Sequence, residues 1–282
     1  MIRALRLHQW SKNLLLLLPI FCAHQAGNGA LWESLALAFL FFSLGASGQY
    51  LLNDLLDRGA DGAHPEKSSR PIAQGDVAPW QAVAVAALLI GVALVGAWYV
   101  NREFFEVVAL YQVLTTAYSV KLKHTALMDV VVLACLFTLR VFAGGAATNI
   151  AVSPWLLTFA LFFFLMLAVL KRFAELEAPH ACEGVRDYRP GDQFLLASMG
   201  ISAGFLSVLV LAFYIQQPQT ILLYSRPDRL WLLCPVLLYW ISRMWLIAHR
   251  GDMRRDPLDF ALLDGVSYVV LGVSAVVAYA AI

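Results

Sequence analysis

Asp54, Asp57 and Asp61 stand three and four residues apart in the run Asn53-Asp54-Leu55-Leu56-Asp57-Arg58-Gly59-Ala60-Asp61. On a helix that spacing puts them on one face. Three carboxylates on one face repel one another, and the stretch before them is a long apolar run. An aspartate at the centre of a membrane helix costs roughly 2.5–3.5 kcal/mol, and less near the end. Such a cluster calls for something positive to bind it. A solvated helix end with ordinary loop charges would explain neither the regular spacing nor the apolar run. A polar loop follows, through His64, Pro65, Lys67, Arg70, Pro71 and Gly75.

Other polar segments carry groups suited to phosphate. Leu7-His8-Gln9-Trp10-Ser11-Lys12-Asn13 places Gln9, Lys12 and Asn13 before an apolar run; here Trp10 also suits an interfacial anchor and Lys12 a topology signal. Tyr118, Lys121 and Lys123 close a later apolar stretch, where a lysine pair serves either phosphate or topology. Asp129 opens the next one, as a metal ligand or as a helix cap. Lys171, Arg172 and Glu175 close another, with Glu175 four residues from Lys171 and so placed to pair with it. Arg140 sits well inside an apolar run, and an intramembrane arginine faces a polar cavity or a partner. Arg243 is nearer an interface, where it can snorkel. Acids on one loop and bases on the others suggest a shared ligand, a diphosphate bridged by a divalent metal. Carboxylate oxygens suit magnesium, which binds through one or two carboxylates plus substrate phosphates. Lysines and arginines neutralise the remaining phosphate oxygens. Together they stabilise a departing diphosphate.

The elements that position these groups are membrane helices. Of the 282 residues 61% are hydrophobic and only 14% charged, with a mean hydropathy of +0.71. Soluble domains carry about 25% charged residues. An all-α polytopic membrane protein follows, read as one domain over 1–282. A span needs about 20 apolar residues. The pattern predicts nine transmembrane helices, at 11–27, 33–56, 80–100, 104–120, 127–147, 154–176, 193–215, 229–249 and 262–282. The first is short and interrupted by Pro19. No cleavable signal peptide is expected, because the first apolar run has no small-residue cleavage site. Cys22, Cys135, Cys182 and Cys234 have no paired spacing, so neither a disulfide framework nor a zinc site is expected.

Charge then sets sidedness. Arg3, Arg6 and Lys12 precede the first helix. Arg58, Lys67 and Arg70, then Lys121 and Lys123, then Lys171, Arg172, Arg186 and Arg189, and finally Arg250, Arg254 and Arg255 follow the even-numbered ones. The opposite loops hold Arg102, Arg226 and Arg229. The positive-inside rule places the amino terminus and the acidic motif in the cytoplasm and the carboxy terminus outside the cell membrane.

Asn53-Asp54-x-x-Asp57-x-x-x-Asp61, followed by Arg70-Pro71 and Gly75 at the cytoplasmic end of the second of nine helices, resembles the UbiA superfamily of intramembrane prenyltransferases. The resemblance implies a helical bundle around a central cavity, with magnesium held by acidic motifs; here Asn53, Asp54, Asp57 and Asp61 are the matching positions. The family's second aspartate-rich motif reads Lys171-Arg172-Phe173-Ala174-Glu175-Leu176-Glu177 in this chain. That departure weighs against a second carboxylate-bound magnesium. Gln9-Trp10-x-Lys12-Asn13, Tyr118-Ser119-x-x-Leu122-Lys123, Arg140 with Ala143-Gly144, and Lys171-Arg172-x-x-Glu175 look like the decaprenyl-phosphate phosphoribosyltransferase branch. Arg250-Gly251-x-Met253, Asp256-Pro257 and Phe260-Ala261 add to the likeness.

The branch implies transfer of phosphoribosyl from phosphoribosyl diphosphate to a polyprenyl phosphate, with diphosphate released. The expected partners are a polyprenyl lipid, a phosphorylated donor and the bilayer, with no nucleic acid; a homo-oligomer is compatible with this. The alternative is prenyl transfer from a prenyl diphosphate to an aromatic or other small acceptor. A transporter for phosphorylated lipid would call for broken helices and symmetric halves, and neither is evident in the sequence.

Overall fold

A computed structural model describes residues 1–63, 67–177, 187–253 and 256–282. His64, Pro65, Cys182, Arg186, Arg254 and Arg255 lie outside the described residues. The chain is all-α. In order the helices are α1 (Leu18–Cys22), α2 (Gly29–Leu56), α3 (Arg58–Ala63), α4 (Pro71–Gln74), α5 (Pro79–Val100), α6 (Arg102–Val120) and α7 (Met128–Thr148). They continue with α8 (Pro154–Glu177), α9 (Gln193–Ile215), α10 (Pro218–Leu223), α11 (Leu233–His249), α12 (Pro257–Ala261) and α13 (Gly265–Ala281).

Among the described residues six helical stretches are long and apolar enough to cross a membrane: α2, α5, α7, α8, α9 and Pro227–His249, where a 3-10 turn runs into α11. A bilayer leaves no water for backbone groups, so closed helices are what the apolar runs must form. The other three expected spans differ from those six. The first is a 3-10 helix, Leu7–Leu17, leading into the short α1. Pro19 lacks an N–H and is tolerated only in a first turn, so the α-helical piece begins there. α6 has 19 residues but carries Arg102, Glu103 and Glu106 near its start, and α13 has 17 residues. α2 starts before the predicted residue 33 because the Asn28 side chain accepts from the Ala30 N–H and caps it.

The chain packs as two compact units, Met1–Lys123 with Leu139–Val152, and His124–Thr138 with Ser153–Ile282. In the first unit α2 packs along α5 and α6, and the amino-terminal 3-10 turns lie on α2. Lipid is as apolar as a helix face, so membrane helices associate through close packing and interhelical hydrogen bonds. At Gly48 an added Cβ would fall 2.8 Å from Ile90 Cγ1 and 3.0 Å from the Ala86 carbonyl of α5. Asn101 caps α6 by accepting from Phe104 N and also donates to the Ala146 carbonyl at 2.8 Å. Ala4, Leu51, Ile72, Val77, Ala82 and Ala86 form a buried cluster that seats the amino-terminal segment against the end of α2, α4 and the start of α5. In the second unit α8 packs on α9 and α11, and α11 on α13. Phe163 stacks on Trp240 with ring centroids 5.6 Å apart, and the Trp240 indole donates to Ser267 Oγ at 2.9 Å.

Candidate active site

The acid motif sits where α2 ends. Asp57 is the C-cap of α2, at φ −88° and ψ 0°, and its N–H still bonds the Asn53 carbonyl at 2.9 Å. α3 resumes at once, with Asp61 N donating to the Asp57 carbonyl at 2.8 Å. The predicted helix face is therefore kept across a one-residue break. Asp54 and Asp61 are buried and Asp57 is partly so.

What binds the acids is the first unit's own cations. Arg70, the residue before α4, donates from one Nη1 to Asp61 Oδ2 at 2.5 Å and to Asp54 Oδ1 at 3.2 Å. Arg6 Nη2 donates to the same Asp54 Oδ1. Lys123, in the 3-10 turn after α6, donates to Asp57 Oδ1 and, at 3.1 Å, to Asn53 Oδ1. Asn53 Nδ2 completes the group by donating to Asp57 Oδ2 at 3.1 Å. Three carboxylates thus meet three cations.

In the sequence Arg6 is one of three charges ahead of the first helix, with Arg3 and Lys12. Nothing in its spacing sets it apart. Its role follows from a left-handed backbone, φ 51° and ψ 49°, between two 3-10 turns, which a non-glycine residue seldom adopts. Of the lysine pair, Lys123 is buried against the acids, whereas Lys121 is the exposed C-cap of α6. Tyr118 and Lys12 are half-buried.

A second polar layer lies deeper along α2. Arg140 is buried; its Nε donates to Asn13 Oδ1 at 3.1 Å and its Nη2 to the Tyr111 hydroxyl at 2.8 Å. Its guanidinium also lies 5.0 Å from the Tyr111 ring centroid and 5.8 Å from that of Phe42. Asn13 donates to Ser43 Oγ at 2.9 Å, and the Trp10 indole to Ser47 Oγ at 3.0 Å. Gln49 donates to Gln112 Oε1 at 2.8 Å, and Gln112 Nε2 is buried without a hydrogen-bond partner among the described residues. Ser43, Ser47, Tyr50, Asp54 and Asp57 recur at helical spacing. That polar stripe within α2 was visible in the sequence, and the acid motif is its outer end.

The second unit holds a separate network. Arg172 is buried, with its Nε donating to Asp129 Oδ2 at 2.6 Å and its Nη1 to Glu175. The Tyr188 hydroxyl donates to Asp129 Oδ1 at 2.6 Å and accepts from Leu127 N at 2.8 Å. Burial, then the hydrogen bond to Asp129, pushes the Tyr188 phenol well above its ordinary value. Three expectations change here. Glu175 pairs with Arg172, not with Lys171, because Lys171 reaches Asp256 at 2.5 Å. Asp129 accepts from Arg172 and Tyr188 instead of capping α7. Arg243 has a partner of its own: both its Nη groups donate to Asp264, at 2.7 and 3.0 Å.

Residues 14–265 match the profile of the UbiA prenyltransferase family. This chain belongs to that family. It is a membrane-embedded UbiA transferase. Nodulation protein NoeC of Azorhizobium caulinodans is 36% identical over 280 residues, 96% of this chain and 90% of that protein. Decaprenyl-phosphate phosphoribosyltransferase of Mycolicibacterium smegmatis is 30% identical over 282 residues, 96% of this chain and 88% of that protein. Protein y4nM of Sinorhizobium fredii is 35% identical over 94% of this chain, which spans about half (52%) of y4nM's length. Among solved structures, a UbiA homolog from Archaeoglobus fulgidus bound to GPP and Mg2+ shares the fold, with a TM-score of 0.73 at 18% identity over 99% of this chain and 98% of that one.

The UbiA donor set suits magnesium in one particular way. Asn53, Asp54, Asp57 and Asp61 bring hard oxygens together at one end of α2. Among the described residues no three His, Cys, Asp or Glu side chains converge as a ready cation cage. The carboxylates turn to their own arginines and lysine. That fits an ion which arrives with phosphate oxygens and keeps only one or two carboxylates.

Proposed function

We propose that this UbiA transferase moves a phosphoribosyl group from phosphoribosyl diphosphate to a polyprenyl phosphate and releases diphosphate. The observation that carries the reading is the balanced cluster of Asp54, Asp57 and Asp61 with Arg6, Arg70 and Lys123. Such a cluster offers ligands to a metal and to a diphosphate from one place. The basic segment Lys171-Arg172 and the relatives named decaprenyl-phosphate phosphoribosyltransferase support this branch over prenyl transfer.

From the set Asn53, Asp54, Asp57 and Asp61, one or two carboxylates would hold magnesium together with substrate phosphate oxygens. When bound, magnesium neutralises charge that builds on the departing diphosphate. Arg70 and Lys123 turn to phosphate oxygens, with Lys12, Lys121 and Tyr118 as further ligands in the first unit. The bond from the anomeric carbon to diphosphate breaks, and a bond from that carbon to a lipid phosphate oxygen forms. The acceptor is already an anion, so no general base is required. Arg140 holds the inner end of the first helix segment through Asn13. In the second unit, Lys171, part-exposed and paired with Asp256, exchanges that partner for phosphate, while Arg172 with Glu175 sets the shape of its segment.

Nine crossings, with the amino terminus and the acidic motif cytoplasmic and the carboxy terminus outside, complete the proposal. The charge asymmetry of the loops supports it. The test supplies purified protein with magnesium, polyprenyl phosphate and either labelled phosphoribosyl diphosphate or labelled prenyl diphosphate. Label entering lipid phosphate from the first donor alone is expected. Label transferred from the prenyl donor alone would replace this reading with prenyl transfer.

A further inference from the structure

Arg6 differs from the other two cations of the acid motif in what it has to lose. Arg70 is shared between Asp54 and Asp61, and Lys123 between Asp57 and Asn53. Arg6 contributes a second guanidinium to an oxygen, Asp54 Oδ1, that Arg70 already serves. Its side chain is 20% exposed, against 25% for Arg70 and 3% for Lys123, and beyond Asp54 it lies 5.5 Å from the centroid of the Tyr50 ring. The backbone on either side of it is pinned. Ala4 is buried, the Leu5 carbonyl accepts from Ser47 Oγ at 2.9 Å, and the Arg6 carbonyl accepts from Gln9 N at 2.8 Å. The guanidinium can therefore change partner while the segment stays in place.

We propose that Arg6 is an exchangeable counter-ion, which leaves Asp54 for the substrate's diphosphate when a divalent cation takes its place at that carboxylate. This rests on the metal and diphosphate reading of the site given above. The physical reason is charge balance. A divalent cation entering alone must displace guanidinium groups that then have no anion. A diphosphate entering alone draws cations away from buried carboxylates and leaves those uncompensated. When both enter, every buried charge trades one partner for another. The two ligands should therefore bind together, each raising the affinity of the other by the same factor.

Titration calorimetry on the detergent-purified full chain tests this with three probes: magnesium chloride alone, pyrophosphate alone in EDTA, and pre-formed magnesium pyrophosphate. Wild-type protein should bind the pre-formed complex at least roughly tenfold more tightly than either component, the scale of one charge-assisted hydrogen bond. Arg6→Gln should bind magnesium alone more tightly than wild type, since the competing cation is gone. It should bind magnesium pyrophosphate more weakly, by roughly tenfold to a hundredfold. Arg6→Lys should recover part of that loss. A residue that merely anchors the amino-terminal segment would not raise magnesium affinity when removed. Unchanged affinities for both probes in Arg6→Gln would overturn the proposal. If that variant does not fold, equal affinity of wild-type protein for pyrophosphate with and without magnesium would overturn it equally. Pyrophosphate is common to both candidate donors, so the outcome is independent of which is used. Protein that shows the exchange but transfers no phosphoribosyl fails only the functional proposal. Protein that transfers phosphoribosyl while Arg6→Gln leaves both affinities unchanged fails only this one.

Discussion

Arg172 and Asp129, 43 residues apart in the chain, meet with Nε 2.6 Å from Oδ2 and with both side chains buried. A buried pair of this kind is a matter of stability before it is one of catalysis. Removing one partner leaves the other charge buried and uncompensated, at about 3–5 kcal/mol. Arg172→Ala should therefore lower the thermal midpoint in detergent strongly, and Arg172→Ala with Asp129→Leu should regain part of the loss. A single variant that melts like wild type would show that the pair is not closed to water in the membrane protein.

Asp54→Asn and Asp57→Asn should cut turnover severely while the protein still inserts. Arg70 keeps Asp61 in the first variant, and Lys123 keeps Asn53 in the second, so the helix end retains partners. Each lost charge-assisted contact is about 1.5–3 kcal/mol, or roughly tenfold to more than a hundredfold in rate. EDTA should stop the wild-type reaction. Full activity in EDTA would remove magnesium from the account.

Topology can be read with reporters. One fused after Ile282 should lie outside, and one inserted near Gly62 should be cytoplasmic, as the loop charges require. A cytoplasmic carboxy terminus would mean an even number of crossings, and the 3-10 segment Leu7–Leu17 with α1 would be the first to reassign.

Gly144→Ala and Gly91→Ala should act in opposite directions. At Gly144 a Cβ would stand 2.0 Å from the Leu16 carbonyl oxygen and 2.9 Å from its Cα, and backbone cannot yield as a side-chain tip does. Overpacking of this sort costs about 1–3 kcal/mol. At Gly91, in the middle of α5, nothing lies within 4 Å. Alanine there should gain up to about 1 kcal/mol of helix propensity. Thermal unfolding of the two variants side by side checks the contrast, and a Gly144→Ala protein as stable as wild type would contradict the close approach.

Much of this protein is written in local pattern. Apolar run length is enough to establish a helical membrane chain, because lipid allows little else. Spacing alone put Asp54, Asp57 and Asp61 on one face, and cost alone marked Arg140 as partnered. The tertiary structure decided who the partners are. Arg6 reaches Asp54 across 48 residues, Lys123 reaches Asp57 across 66, and Arg140 reaches Asn13 across 127. No periodicity encodes such distances; they depend on how α2 packs against its neighbours and on where a left-handed residue turns the amino-terminal segment. For the same reason local rules paired Glu175 with Lys171, four residues away, and named no partner for Arg243. In the folded second unit Asp256, 85 residues away in the chain, comes within reach of Lys171, and Asp264 takes Arg243 in a two-bond contact stronger than a single one.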